Sequence, residues 1–414
     1  MGNLLIAQSG GPTSAINATL IGAFQMAQIS SKIDKVYGAI NGIVGVFEEN
    51  FIDLTERIKD TETMEALAAT PAAALGSCRY KMKDPKEDDS EYEKIVQICK
   101  KNNIEYFVYI GGNDSMDTVA KLSWYIKKNH IENLNVMGAP KTIDNDLVHT
   151  DHCPGFGSAA KYIATTFAEL ERDIAVYKTS GVLIVEIMGR NAGWLTASSA
   201  LSRLNGDNGP DLIYLCEIPF EMDKFLEKTK ALLEQKGRVI VAVSEGLKTK
   251  DGKYLSEQMS VDKYDVFGHK YIAGVGKVLE EKVRNSLGCK VRSIELNLMQ
   301  RCAAHVASAT DINESRLLGM KAVQCAIEGI TGQMSAIRRI NSNPYEIEFT
   351  SVDVSDVANH EKKVPREWIS EDGDDVTEEM IDYLTPLVHG ETITSHKHGI
   401  PTHIVLYDTS EKRS

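Results

Sequence analysis

The sequence is short of positive charge, of long apolar runs and of paired cysteines, and each deficit removes a class of function. Among its 414 residues, 46 Lys and Arg stand against 59 Asp and Glu, a formal net charge of −13. That is the wrong sign for a protein that holds nucleic acid by neutralising phosphates. No stretch approaches the roughly 20 uncharged apolar residues of a membrane-spanning helix. The amino terminus, MGNLLIAQSGGP, has no basic region and breaks its apolar run at Gln8, so neither export nor membrane anchoring is expected. The seven cysteines (78, 99, 153, 216, 289, 302, 325) form no CxxC pair and no disulfide-like spacing, which suits a reducing cytoplasm. Solenoid-type repeats and low-complexity tracts are absent. What is left is a cytoplasmic enzyme of two or three packed domains, with enough apolar residues (43%) to bury a real core.

Short, β-rich apolar runs recur along the chain: 3–8, 35–40, 106–112, 135–140, 181–188, 211–217, 239–246 and 291–297. Their near-continuous hydrophobicity, without strict alternation, predicts strands of a parallel sheet covered on both faces. Helix-like segments lie between them at 14–30, 115–129, 158–178, 224–236, 268–286 and 314–329, several opened by a residue suited to an N-cap. Steady alternation of strand and helix predicts an α/β architecture with right-handed crossovers. From Asn341 onward the character changes, and an added strand (YEIEF) and helix (EEMIDYL) are expected to pack on the second domain.

The polar residues that carry chemistry stand where strands end, the place where open parallel sheets bind ligands. QSGGPTSAIN at 8–17 is a glycine-rich turn leading into a helix, a geometry that binds phosphate; it is neither GxGxxG nor a P-loop. IGGNDS at 110–115 repeats the arrangement with an amide and a carboxylate: Asn113 can lend an oxygen to a hydrated magnesium, and Asp114 can cap the helix or define what fits. PKTIDND at 140–146 sets Asp144 and Asp146 beside Lys141. Carboxylates so close need a metal, a cation or a shared proton, unless the loop is simply a solvated turn. MGRNAGW offers Arg190 to an anion, SEG offers Glu245 to sugar hydroxyls, and Arg292 and Arg301 flank one strand as a candidate phosphate clamp. The histidines of HTDHC (149–153) and SHKHG (395–399) lack the spacing of a zinc site and are assigned structural or solvent-exposed roles.

Taken in order, SGG at 9–11, LGSCRY at 75–80, GGNDS, PKTIDND, VEIMGR, SEG and the QR at 300–301 resemble the phosphofructokinase family, and the likeness runs through residues 3–335. The resemblance implies two Rossmann-like, doubly wound domains of mainly parallel sheet with the active site in the cleft between them. The first comprises 1–155 plus about 300–350 and takes the phosphoryl donor. The second comprises 156–299 plus about 351–414 and takes the sugar phosphate. It implies magnesium, fructose 6-phosphate as acceptor and transfer to its 1-hydroxyl. Carried over residue by residue, Asp144 resembles the base that takes the C1 hydroxyl proton, with Asp146 steering or binding metal and Asn113 the metal contact beside the donor. Thr142 and Ile143 line the substrate loop, and Arg190 contacts substrate and transition state with Met188 and Gly189 supplying backbone. Glu245, Arg292 and Arg301 match sugar and 6-phosphate ligands, while Gly11 and Arg79 match the donor side.

At Asp114 and Lys141 the sequence is similar to the pyrophosphate-using members of the family, where ATP-using members have glycine. A carboxylate at 114 adds bulk and like charge against an α-phosphate. Two unit charges about 4 Å apart at an effective dielectric near 20 repel by roughly 4 kcal/mol, close to a thousandfold in affinity. Lys141 supplies positive charge to pyrophosphate. The donor implied is therefore pyrophosphate, with ATP use or a non-catalytic regulatory subunit as the rival readings. Leu298 stands where many members place His or Tyr near the sugar. Gly181 replaces an arginine that reaches a neighbouring subunit, which leaves the intersubunit half of the 6-phosphate site to Arg292 in a homodimer or homotetramer. Ile21 and Gln25 replace effector-binding arginines, so nucleotide control is not expected.

Overall fold

The computed structural model describes residues 1–206, 208–258 and 274–407. In chain order the strands are β1 (Gly2–Gln8), β2 (Ile33–Ala39), β3 (Phe51–Asp53), β4 (Ile104–Gly111) and β5 (Asn135–Pro140), which build a first sheet; β6 (Gly181–Ile187), β7 (Leu212–Tyr214), β8 (Arg238–Ser244) and β9 (Lys290–Glu295), which build a second; and β10 (Gln333–Ser342) and β11 (Tyr345–Asp353), which return to the first. The first sheet has the order β11-β10-β5-β4-β1-β2-β3 and is parallel except at its edge strands β3 and β11. The second, β7-β8-β6-β9, is parallel throughout.

Burial explains the apolar runs. β1 is buried along its whole length: Leu4 and Ile6 enter one core with helices Ile16–Ile29 and Ala309–Ile327, and Leu5 and Ala7 enter another with helices Ser90–Lys101 and Asn113–Lys128. β6 does the same. Leu183, Val185 and Ile187 pack towards helix Phe156–Ala175, and Val182 and Ile184 pack towards helices Met222–Lys236 and Val275–Leu287. A strand covered on both faces has no position at which a polar residue is free.

Three expectations change. The helix expected from Ser115 starts at Asn113, because Gly112 takes the N-cap position and its carbonyl accepts from Ser115 and Met116 N–H. The helix expected from Glu314 starts at Ala309, capped by Ser308, whose hydroxyl accepts from Asp311 N–H. YEIEF does not pack as a strand of the second domain: it lies in β11, paired antiparallel to β10 with Phe349 opposite Ile337, at the edge of the first sheet. Helix Glu378–Leu384, from EEMIDYL, does join the second core through Met380, Tyr383 and Leu384. The start of the helix expected at Gly268 lies outside the described residues, which resume at Gly274.

Candidate active site

The loops that follow β1, β4 and β5 of the first sheet and β6 and β8 of the second line one cleft of about 660 Å³. On its first-sheet side the turn after β1 is bolted from behind. Gln8 Nε2 donates to Asn17 Oδ1 at 3.0 Å, Leu75 N–H donates to Gln8 Oε1 at 2.9 Å, and Asn17 Nδ2 donates to the carbonyls of Thr70 and Ala72. This fixes the segment that carries Ser77, whose hydroxyl donates to Gly10 O at 2.6 Å, and Arg79. Gly10 has φ +77°, and a side chain there would meet Lys141 Nζ; one on Gly11 would meet the Arg301 guanidinium. The two glycines thus let two cations reach the backbone of the turn, an anion cradle made of N–H groups and fixed positive charge.

Lys141 is 3% exposed. Burial draws its pKa down to about 8, with Arg301 adding to the drop and Asp144 and Asp146 opposing it. Burial also lowers the pKa of Arg301, and the nearby Arg79 lowers it further. Asp114, in the first turn of helix Asn113–Lys128, is exposed at the cleft wall.

The loop after β5 turns both its aspartates into the cleft. Thr142 Oγ1 accepts from Asp144 N–H at 3.1 Å, and Ile143 is buried in the second core. Burial raises the pKa of Asp144, and Glu361 adds to this while Lys141, Arg190 and Arg301 oppose it. Asp146 is pushed up to about 7 by burial and by the charge of Asp144. Carboxyl groups whose pKa values burial raises in a cleft suit proton transfer.

From the second sheet come Met188, Gly189 and Arg190 after β6 and Glu245 after β8. Gly189 N–H donates to Glu245 Oε1 at 3.3 Å, Ser244 Oγ donates to Gly189 O at 2.6 Å, and Met188 N–H donates to Gln300 Oε1 at 3.3 Å. Glu245 is pushed up to about 7 by burial and by Asp144. Arg190 Nε is buried with no hydrogen-bond partner among the described residues, a donor open to a bound ligand.

Two of the expected site residues are placed in ways the sequence did not indicate. Asn113 was the candidate metal contact, but both groups of its side chain are taken by backbone. Its amide donates to His360 O at 2.7 Å and its oxygen accepts from Asn359 N–H at 2.5 Å, so it clips the 359–360 segment to the helix. Arg292 and Arg301 do not form one clamp. Arg301 lies on the short helix Met299–Cys302 beside Gly11, whereas Arg292 sits in mid-β9 and lines a separate recess with Tyr177 and Gly181. Leu298 is exposed just before that short helix.

Sequence reasoning missed Asn359 and Glu361, which line the cleft, and Lys362 behind it. Lys362 Nζ donates to Asn145 Oδ1, Thr150 O and Asp151 O, and its N–H donates to Asp146 O at 2.7 Å, so it holds the aspartate loop from the rear. His152 of HTDHC is structural: buried, with Nδ1 2.8 Å from Asp151 and Nε2 2.6 Å from Glu314.

The family model described as Phosphofructokinase matches residues 3–326. A "Pyrophosphate--fructose 6-phosphate 1-phosphotransferase" of Xanthomonas campestris pv. campestris is 40% identical, covering 98% of this chain and 96% of its own. One of the same description from Halomonas elongata is 38% identical over 96% and 94%. Among solved structures, a pyrophosphate-dependent phosphofructokinase from Nitrosospira multiformis superposes with a TM-score of 0.88 at 37% identity, covering 98% of this chain and 96% of its own.

Proposed function

The chain belongs to the phosphofructokinase family, and from that membership we propose how its cleft works. The enzyme moves a phosphoryl group from pyrophosphate to the C1 hydroxyl of fructose 6-phosphate, giving fructose 1,6-bisphosphate and phosphate. The observation that carries this reading is that Lys141 and Asp114 line the same cleft as Asp144, with the Lys141 ammonium seated against Gly10. A diphosphate on the Gly10–Gly11 turn meets Lys141, Arg301 and Arg79; a longer nucleotide chain must pass the Asp114 carboxylate.

In this arrangement Asp144 takes the proton from the C1 hydroxyl as that oxygen attacks the near phosphorus of pyrophosphate. Lys141 and Arg190 offset the charge that gathers on the transferring and departing phosphates. Arg190 Nε, unpartnered among the described residues, suits a phosphoryl oxygen. Thr142 and Ile143 hold the loop, Met188 and Gly189 present backbone, and Glu245 accepts from sugar hydroxyls. Among the described residues no group of three or more His, Cys, Asp or Glu side chains is placed to cage a metal ion, so the hard-oxygen carboxylates of Asp144 and Asp146 fit magnesium as an ion carried in on the diphosphate. Asp146, pushed up to about 7 by burial and by the charge of Asp144, is the residue that would hold it. When bound, magnesium would offset the negative charge of the phosphates.

Arg301 stands between the donor turn and the aspartates. Arg292 contributes to the 6-phosphate site only where a second copy of the chain brings its recess to the cleft, so the working form is a homodimer or homotetramer in the cytoplasm. Among the described residues no helix is long and apolar enough to cross a membrane. Ile21 is buried in the first core and offers no charge to an effector phosphate, in keeping with the absence of nucleotide control at that helix. Purified protein offered fructose 6-phosphate with pyrophosphate or ATP in parallel tests the reading. Turnover with pyrophosphate and little with ATP is expected, and a preference for ATP, or inactivity with both, overturns it.

A further inference from the structure

Residues 358–364 cross the mouth of the cleft, beyond the point at which the family match ends. Asn359 and His360 tie this strap to the donor-side helix through Asn113, and Asn359 Nδ2 adds a hydrogen bond to Asp117 Oδ1 at 3.1 Å. Beyond the cleft, Lys362 N–H donates to Asp146 O, Trp194 Nε1 donates to Lys362 O at 3.0 Å, and Val364 N–H donates to Glu217 Oε1 at 3.0 Å. Glu361 lies between these anchors. Its Oε1 accepts from Asn191 Nδ2 at 2.8 Å, and Asn191 follows Arg190. At the other end of the same loop, Gly193 N–H donates at 2.8 Å to the Glu217 oxygen that also holds Val364. The loop that presents Arg190 is thus fastened to the strap at both ends, while Arg190 Nε has no hydrogen-bond partner among the described residues.

We propose that Glu361 is a positioning residue for phosphoryl transfer: its hydrogen bond to Asn191 holds the Arg190 loop over the cleft and, through the strap, in register with the Asn113–Asp114 end of the donor helix. The proposal rests on the reading of Arg190 as a transition-state contact. Interactions that set the placement of a group acting in the transition state appear in turnover more than in substrate affinity, and a displacement of about 1 Å can cost about 100-fold.

The test uses the full chain with Glu361→Ala, Glu361→Gln, Asn191→Ala and the Glu361→Ala/Asn191→Ala double variant. Steady-state kinetics are measured for both substrates, with amide hydrogen exchange across residues 188–193. Glu361→Ala should lower kcat by about 10- to 100-fold with both KM values within about threefold. Glu361→Gln, whose carbonyl accepts the same hydrogen bond, should restore kcat to within about threefold of wild type. Asn191→Ala should match Glu361→Ala, and the double variant should lose no more than either single one. Exchange in 188–193 should rise in Glu361→Ala and not in Glu361→Gln. Equal losses in the Ala and Gln variants, additive losses in the double variant, or a loss confined to KM would overturn the proposal. Unchanged exchange would do so whatever the reaction proves to be, whereas an inactive wild type with the expected exchange pattern would count against the reaction and not against the tie.

Discussion

The Asn145 side-chain amide donates to the Tyr383 hydroxyl at 2.9 Å, joining the aspartate loop to a helix 238 residues further along the chain. Asn145 Oδ1 accepts from Cys153 N–H at 3.0 Å, and its backbone has φ +55°. With the middle residue turned into the protein in this way, Asp144 and Asp146 on either side of it both turn to the cleft. The pair of carboxylates is an outcome of that inward asparagine as much as of the spacing.

Asp144→Ala should remove the base and leave the phosphate anchors on Gly10, Gly11, Lys141 and Arg301 in place. Turnover should fall by about 10²–10⁴-fold, the range general-base catalysis supplies, with much smaller changes in KM for either substrate. Steady-state rates decide the matter, and near-wild-type kcat would remove Asp144 from the role.

The strands and most of the cleft were legible because their signals are local. Continuous apolar runs mark strands buried on both faces, and the Gly, Asp and Arg residues that end them fall at the carboxyl edges of the sheets. The strap was not legible. Asn359, Glu361 and Lys362 form no turn motif, and their meaning depends on contacts with Asn113, Asn191 and Asp146, each far away in the sequence. The separate placement of Arg292 and Arg301 was hidden for a related reason: mid-strand and post-strand positions nine residues apart face different recesses, which proximity in sequence does not reveal. The clip between Asn113 and residues 359 and 360 was equally hidden by its long range.

His152 should make stability depend on pH. Burial alone would draw its pKa down, but hydrogen bonds with Asp151 and Glu314, together with their charges, outweigh it and lift the value to about 9. An unfolded histidine titrates near 6.5. The folded value is raised, so the stabilisation is fully present below about pH 6.5 and is lost as pH rises through about 9. Thermal melting of wild type and His152→Gln from pH 6 to 10 should show a gap that is widest at the acid end and narrows across this window. A gap that stays constant would mean that the imidazole is neutral in the folded protein.

Gly246 follows Glu245, and a Cβ there would stand 1.9 Å from the carbonyl oxygen of Arg190. That contact involves backbone on both sides and cannot be relieved by a rotamer change. Gly246→Ala must therefore push the Arg190 loop away, at a cost of about 1–3 kcal/mol in stability. Because the displaced loop carries Arg190, the residue proposed to contact the transferring phosphoryl, kcat should fall at least tenfold even at temperatures where the variant is fully folded. Melting curves and kinetics on the same preparation separate the two effects, and a variant less stable but equally fast would detach this loop from catalysis.

On the proposed reading, donor choice rests on two residues that act through different physical effects, so their contributions should separate. Asp114, exposed at the cleft wall at the start of its helix, would oppose a nucleotide by bulk and by like charge; Lys141, buried against Gly10, would favour pyrophosphate by charge and fill space. Asp114→Gly alone should make ATP a usable though poor donor, since the wall opens while the lysine still crowds the turn. Lys141→Gly alone should lower kcat/KM for pyrophosphate through lost stabilisation of the transition state, with little gain for ATP while Asp114 remains. In the double variant both changes combine, and ATP use should exceed that of either single variant. The measurement is kcat/KM for each donor across wild type, both single variants and the double variant. If Asp114→Gly brings no measurable ATP use, repulsion and bulk at position 114 are not what excludes the nucleotide. If Lys141→Gly leaves pyrophosphate use intact, the buried ammonium is a packing element and the positive charge must come from Arg301 and Arg79.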